Sequence, residues 1–179
     1  MLVAETRWLD DQEQRAWRSF LAASRVLLDT LDRELQRDAG MPHTYYEILV
    51  RLSEAPGRRL RMSELADAMR GSRSRLSHAA ARLEEAGWVR RVECPTDKRG
   101  LFAVLTDEGH RALVDAAPGH VEGVRSHLFD ALTKAQVSHL AEISEAVLAN
   151  LGDPRADRGV ISSTPCVSGL AVTDTAEWA

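Results

Sequence analysis

Cysteine and aromatic residues are scarce in this chain of 179 residues, and long apolar runs are missing. The two cysteines, Cys94 and Cys166, are too few for a disulfide framework or for a zinc site without other ligands. No stretch approaches the roughly 18 apolar residues that a membrane span needs. The first residues, 1–8, include Glu5 and Arg7 where a secretory signal would be apolar. These absences predict a cytoplasmic protein that does not enter a membrane.

Sequence motifs for catalysis and for metal binding are missing as well. The six histidines include no pair at the His-x3-His spacing of a zinc site. There is no glycine-rich phosphate loop after a strand and no nucleophile elbow. Asp10–Asp11 and Glu84–Glu85 are adjacent in predicted helices, where neighbouring side chains diverge. The sequence therefore predicts neither an enzyme nor a metal site, and it gives no indication of a cofactor.

Positive charge is concentrated in one segment. Residues 57–100 hold 11 basic and 6 acidic side chains (+5), and the remainder holds 12 basic and 21 acidic ones (-9), which together give the net charge of -4. A basic segment inside an acidic chain favours a surface that binds a polyanion. A solvated face with salt bridges is the alternative, and charge alone does not separate the two.

Apolar residues at three- and four-residue steps predict a mainly α-helical chain. The first helix spans about 8–38 and ends at Gly40, and a second begins near Pro42. Two short helices follow, with Ser63 and Ser72 as their expected N-caps.

The second half of the chain continues with a β-hairpin and more helix. Strands at 88–94 and 101–105 flank a turn-rich tip at 95–100. Helices capped by Thr106 and Thr133 come next, and we expect Pro118 to kink or interrupt the first of them. Residues 153–179 lack periodicity and are predicted to form a flexible tail.

A short helix, a tight break, a second helix and a hairpin form the pattern of a winged helix-turn-helix. The second helix presents hydrogen-bond donors opposite an apolar stripe, a pattern typical of a helix that enters the major groove. These donors are Arg73, Ser74, Arg75, Ser77, His78 and Arg82. Ser72 and the helix N-terminus can receive a phosphate. At the hairpin tip, Lys98 and Arg99 suit a minor groove, with Asp97 placed to hold Arg99. Solvated charges and an ordinary surface turn are the alternatives.

The segment MSELADAMRGSRSRLSHAAARLEEAGWVRRVECPTDKRGLFAVLTDEG resembles the MarR family of winged helix-turn-helix transcription regulators. The resemblance runs from about residue 8 to residue 151, and Gly71 departs from it because a bulkier residue is usual there. It implies a homodimer in which each protomer places its recognition helix in a major groove and its wing in a minor groove. The DNA-binding residues it implies are Ser72, Arg73, Ser74, Arg75, Ser77, His78, Arg82, Asp97, Lys98 and Arg99.

The expected domain organisation is a single MarR-like domain over 8–152. Its DNA-binding lobe is expected at about 43–105, and its dimerisation helices at about 8–38 and 107–152. The two outer segments have more apolar surface than one small domain can cover, and two-fold pairing would bury it.

The expected function is a ligand-responsive repressor that binds a pseudo-palindromic operator on double-stranded DNA as a homodimer. The resemblance implies a pocket for a small aromatic or phenolic ligand between the two layers, and the candidate residues are Trp17, His43, Tyr45 and Tyr46. Each of the four could instead be ordinary packing. Two other functions remain open: a winged-helix module that binds proteins, and a thiol sensor that uses Cys94, near Arg90 and Arg91.

Overall fold

The structure is a computed structural model that describes residues 6–70, 72–94 and 97–152, with the backbone alone for 97–99. This part of the chain is mainly helical with one small antiparallel sheet, which confirms the predicted fold class. The elements in chain order are α1 Asp11–Ala39, α2 His43–Glu54, β1 Arg59–Arg61, α3 Met62–Met69, α4 Arg73–Glu85, β2 Val89–Cys94, β3 Asp97–Leu105, α5 Asp107–His127 and α6 Lys134–Asn150. Gly71 and the predicted tail at 153–179, with Cys166, lie outside the described residues. Among the described residues, every helix is either too short or too polar to span a lipid bilayer.

Local sequence signals set most of the helix ends. Asp10 caps α1 by accepting the Glu13 N–H at 2.8 Å, and Gly40 ends that helix in the left-handed region at φ 61°. Thr106 caps α5 and Thr133 caps α6, as predicted.

The predicted N-cap Ser63 is wrong, and so is an interruption of α5 at Pro118. The helix α3 begins at Met62, so Ser63 lies within its first turn, and the Glu64 carboxylate accepts the N–H of the N-cap residue Arg61 at 3.0 Å. The helix α5 runs without interruption through Pro118. A proline removes one backbone hydrogen bond, and packing against neighbouring helices holds the remainder of the helix together.

The sheet has three strands in the order β1–β3–β2, all antiparallel. The predicted hairpin is present as β2 and β3. The sequence did not indicate β1 as a strand, because three residues are too few to show alternation. Arg59 of this strand pairs with Val104 and Arg61 pairs with Phe102.

In the described part of the chain, the main apolar core lies between α2, α3, α4 and the sheet, with Leu113 and Ala116 of α5 packed into it. Its largest fully buried side chains are Met41, Ile48, Leu49, Leu52, Leu65, Leu83 and Val89. The C-terminal part of α1 contributes Leu35 to this core, and its other buried residue, Leu31, lies against α5. The rest of α1 is exposed or half-buried, and every residue of α6 is at least partly exposed. The core therefore belongs to the lobe that contains α4.

The start of α5 is fixed to the base of the hairpin. The Thr106 hydroxyl donates to the Gly87 carbonyl at 2.7 Å and accepts the Gly109 N–H at 2.9 Å. The two backbones are so close that a Cβ at Gly109 would lie 2.0 Å from the Trp88 carbonyl oxygen. Only glycine fits at this contact.

Candidate nucleic-acid interface

The helix α4 has one buried face and one exposed face. Leu76, Ala79, Ala80 and Leu83 are buried against the lobe, as the sequence predicted. Opposite them, every residue predicted to contact DNA on this helix is exposed: Ser72, Arg73, Ser74, Arg75, Ser77, His78 and Arg82. The Ser72 hydroxyl caps the helix by accepting the Arg75 N–H at 3.2 Å. The exposed face is thus a row of donors held on a rigid helix.

Arg82 is paired within its own helix. Its guanidinium donates to the Glu85 carboxylate at 2.8 Å, and about two-thirds of each side chain is exposed. The hydrogen bond and the charge of Glu85 raise the pKa of Arg82. An exposed pair of this kind exchanges easily for another anion.

The hairpin differs from the predicted wing near its tip. Lys98 and Arg99, which the sequence placed on a projecting loop, belong to the backbone of β3, which begins at Asp97. Cys94 is opposite Asp97, so only residues 95–96 separate the two strands. The register shifts at Glu93–Cys94, because a shorter stretch of β2 faces a longer stretch of β3. The predicted bond between Asp97 and Arg99 involves side chains outside the described part of the chain.

An ion pair that the sequence analysis missed joins α4 to β2. The Glu84 carboxylate accepts three hydrogen bonds from Arg91, at 2.9 Å from the backbone N–H and at 2.8 and 2.6 Å from the guanidinium. These bonds and the charge of Arg91 lower the pKa of the Glu84 carboxyl. No short motif signals this pair, because its partners lie on different elements across a turn.

The four ligand candidates do not line one pocket. His43 and Tyr46 come together around His120 of α5, with ring centroids 5.4 and 4.4 Å from that imidazole. Tyr45 lines a cleft beside α4, because successive helix residues point about 100° apart. Trp17 is exposed on α1, roughly 20 Å along the helix from Leu31.

His120 is the residue of this cluster that the sequence analysis did not single out. Its Nδ1 is buried and has no hydrogen-bond partner among the described residues. Burial lowers its pKa first and His43 lowers it further, while Glu34 opposes both. A small cavity between α1 and α5 adjoins it, lined by Leu31, Glu34, Leu35, Asp38, Ala39, Asp115, Ala116, Gly119 and His120.

Cys94 lies at the end of β2 and is 4% exposed. The Arg61 guanidinium is 3.2 Å from its sulfur. A nearby cation favours the thiolate, and burial hinders access of an oxidant. In the described part of the chain, no group of three His, Cys, Asp or Glu residues could hold a metal ion.

Comparison with known proteins identifies the family. A family model described as MarR family matches residues 39–100. The crystal structure of Sco3205, a MarR family transcriptional regulator from Streptomyces coelicolor in complex with DNA, is 58% identical and covers 82% of this chain and 92% of its own, with a TM-score of 0.78. AbsC, another MarR family regulator from that organism, is 46% identical and covers 82% of this chain and 98% of its own, with a TM-score of 0.76.

A curated relative agrees with these structures. The transcriptional repressor MprA of Escherichia coli K12 is 28% identical over 137 residues, which are 76% of this chain and 77% of MprA. These relatives are transcription regulators, in agreement with the prediction that the chain is a regulator and not an enzyme. The chain belongs to the MarR family of transcriptional regulators.

Proposed function

We propose that this regulator binds operator DNA as a homodimer, with α4 in a major groove and the β2–β3 hairpin in the neighbouring minor groove. The observation that supports this proposal best is the exposed donor face of α4 opposite its buried stripe. Arginine can bind guanine with two hydrogen bonds, and serine and histidine can bind bases or phosphates. The similar protein Sco3205 was crystallised with DNA.

Exposed apolar side chains on the outer helices support the homodimer. On α1, Trp17, Phe20 and Leu28 are each more than half exposed, and the same holds for Ile143 and Val147 of α6 and for Leu151 directly after it. So many exposed apolar side chains on two helices are typical of a surface that another protein covers. A two-fold pairing would place two α4 helices on half-sites about 10 base pairs apart. In this proposal residues 8–152 act as one functional unit in the cytoplasm, where the DNA is.

A repressor released by a small aromatic ligand is the finer part of the proposal. One relative is named a transcriptional repressor. His43 and Tyr46 of α2 meet His120 of α5 where the lobe joins the helical layer, so a ligand bound there would contact both. Such a ligand acts by favouring one spacing of the two α4 helices, and a shift from 1:99 to 99:1 needs about 10⁴-fold differential affinity.

Selection of duplexes from a random pool, with and without phenolic compounds, tests the function. Replacing Arg75 with alanine is expected to cost about 1–3 kcal/mol of binding and to relax base preference. Lys98→Ala is expected to lower the salt dependence with little effect on sequence preference. Arg111→Ala, an exposed arginine on α5, serves as the control. Equal binding by wild type and an Arg73/Arg75/Arg99 triple alanine variant would refute the proposal.

A module that binds proteins through the same face is the second candidate. Salt dependence separates the two functions, because several phosphate contacts imply a loss of about 10³-fold or more in affinity between 50 and 200 mM salt. Weak salt dependence, together with no duplex enriched from the pool, would favour protein binding.

A further inference from the structure

We propose that Glu84 and Arg91, here called the Glu84–Arg91 clamp, are positioning residues that hold the wing at a fixed angle to the recognition helix. The proposal rests on the proposed function, because it concerns how one protomer reaches two adjacent grooves. The clamp contributes to DNA binding without contacting DNA.

The geometry of the clamp restricts movement of Arg91 relative to Glu84. Both oxygens of the Glu84 carboxylate are engaged, Oε1 by the Arg91 backbone N–H at 2.9 Å and Oε2 by the guanidinium at 2.8 and 2.6 Å. The side chains are 35% and 32% exposed, whereas those of Arg82 and Glu85 are 69% and 64% exposed. Charge-assisted bonds at several atoms set a direction as well as a distance. The single exposed hydrogen bond between Arg82 and Glu85 does not fix the direction of either side chain.

The clamp spans the turn at which the wing could swing. Glu84 is in the last turn of α4 and Arg91 is the third residue of β2, with Gly87 at φ 75° between them. Arg91 pairs with Ala103 of β3, the strand that contains Lys98 and Arg99. A rigid connection therefore runs from α4 through the clamp into β3.

Charge supports a positioning role for Arg91. Its guanidinium is neutralised by Glu84 and half-buried, so it is not available to a phosphate in this arrangement. The three arginines of the recognition helix, Arg73, Arg75 and Arg82, are exposed instead. Holding the wing in place before binding lowers the conformational entropy that DNA binding would otherwise cost.

A double-mutant cycle between the clamp and the wing tests the proposal. The probe is a duplex enriched from the random pool, and the variants are Glu84→Gln, Arg99→Ala and the two combined. Glutamine keeps the size of Glu84 and can still accept the Arg91 N–H, but it lacks the charge. Each single variant is expected to weaken binding by about tenfold and to lower the salt slope by about 1. The double variant is expected to bind no more weakly than Arg99→Ala alone, because a displaced wing has lost that contact already.

The matched control is Glu85→Gln, which removes the neighbouring carboxylate and leaves the clamp intact. It is expected to keep or raise the affinity, since it releases Arg82. Exchanging the partners, as Glu84→Arg with Arg91→Glu, is expected to restore part of the lost binding. All comparisons are made well below the unfolding temperature of every variant, so that a smaller folded fraction does not mimic the effect.

Three outcomes overturn the clamp: wild-type affinity for Glu84→Gln, additive losses in the double variant, or a loss that matches the unfolded fraction. They are distinguishable from failure of the proposed function. If Arg75→Ala and Arg99→Ala both bind as wild type, the DNA interface itself is wrong. If those two lose affinity and Glu84→Gln does not, the clamp alone is wrong.

Discussion

The lobe that contains α4 and the helical layer of this molecule differ in how far they bury their apolar side chains. The lobe, made of α2, α3, α4 and the sheet, buries Ile48, Leu49, Leu52 and Leu65 completely. The layer, made of α1, α5 and α6, leaves Ile143 62% exposed and its neighbours on α6 similarly open. The lobe buries its apolar side chains within one chain, and the layer leaves many of its own exposed, as the proposed homodimer requires.

The contacts that hold neighbouring elements together also differ between the two regions. Where the layer meets the lobe, the Thr106 hydroxyl at the start of α5 bonds to Gly87 and Gly109 at once, and within the lobe Glu84 accepts three hydrogen bonds from Arg91. In the layer, the Thr133 cap of α6 is exposed, and its hydroxyl bonds with Gln136 of the same helix. Equivalent sequence signals therefore have different weight, because burial removes competing water.

Two glycines of α5 give the largest expected contrast. Gly109→Ala is expected to lower the free energy of unfolding by about 3 kcal/mol, because the new Cβ meets the Trp88 carbonyl. Gly119→Ala adds its methyl to open space and is expected to stabilise the helix by about 0.5–1 kcal/mol. Urea unfolding at a fixed protein concentration measures both. Equal stability of the two variants would show that the backbones at Trp88 separate without cost.

A charge introduced on the exposed face of α6 tests whether this face forms the proposed homodimer interface. Ile143→Asp is expected to raise the dimer dissociation constant about 100-fold, or about 2.7 kcal/mol, because a carboxylate would be buried between apolar side chains. Sedimentation across a concentration series measures it. Glu145→Lys, on the opposite side of the helix, is the control and is expected to leave the dimer intact. Sedimentation of wild type as a monomer would contradict the homodimer.

Replacing the N-cap threonine of α5 and that of α6 compares a half-buried cap with an exposed one. Thr106→Ala is expected to lower the free energy of unfolding by about 2 kcal/mol, since it leaves the half-buried Gly87 carbonyl and Gly109 N–H without their partner. Thr133→Ala is expected to cost about 0.5–1 kcal/mol, as water can replace an exposed cap. Equal losses in thermal or urea unfolding would contradict the contrast.

Protonation of His120, where the two regions meet, is expected to have the smallest effect. Its pKa is lowered mainly by burial, with His43 and Tyr46 of α2, Glu34 and Asp38 of α1 and Asp115 of α5 around it or around the adjoining cavity. The unfolded chain takes up this proton near pH 6.5 and the folded chain only at lower pH. The free energy of unfolding is therefore expected to fall as the pH drops below about 6.5.

The variant His120→Asn is expected to flatten that dependence in urea unfolding between about pH 5 and pH 8. A slope of the same sign is expected to remain from His110, whose pKa is lowered by burial and by Arg58. His139→Asn, an exposed residue of α6, is the control. If His120→Asn leaves the pH dependence of the free energy of unfolding unchanged, protonation of His120 does not contribute to it.

Much of the lobe follows from local patterns. Ser72 as the cap of α4 and the stripe of Leu76 and Leu83 were predictable, because capping and helical periodicity depend on residues a few positions apart. Two local signals misled: the N-cap of α3 is Arg61 and not Ser63, and Pro118 does not interrupt α5. The short strand β1 and the start of β3 at Asp97 were missed, since pairing with a distant strand defines them.

The sequence by itself determined that the chain is mainly helical, that it has a basic helix-turn-helix followed by a hairpin, and which residues of α4 are exposed. Each of these depends on composition or on spacings along one element. Only the tertiary structure decided that Glu84 meets Arg91, that His120 joins His43 and Tyr46, and that Tyr45 faces the other way. Those contacts join residues of different elements, and a one-dimensional pattern contains no distance between elements.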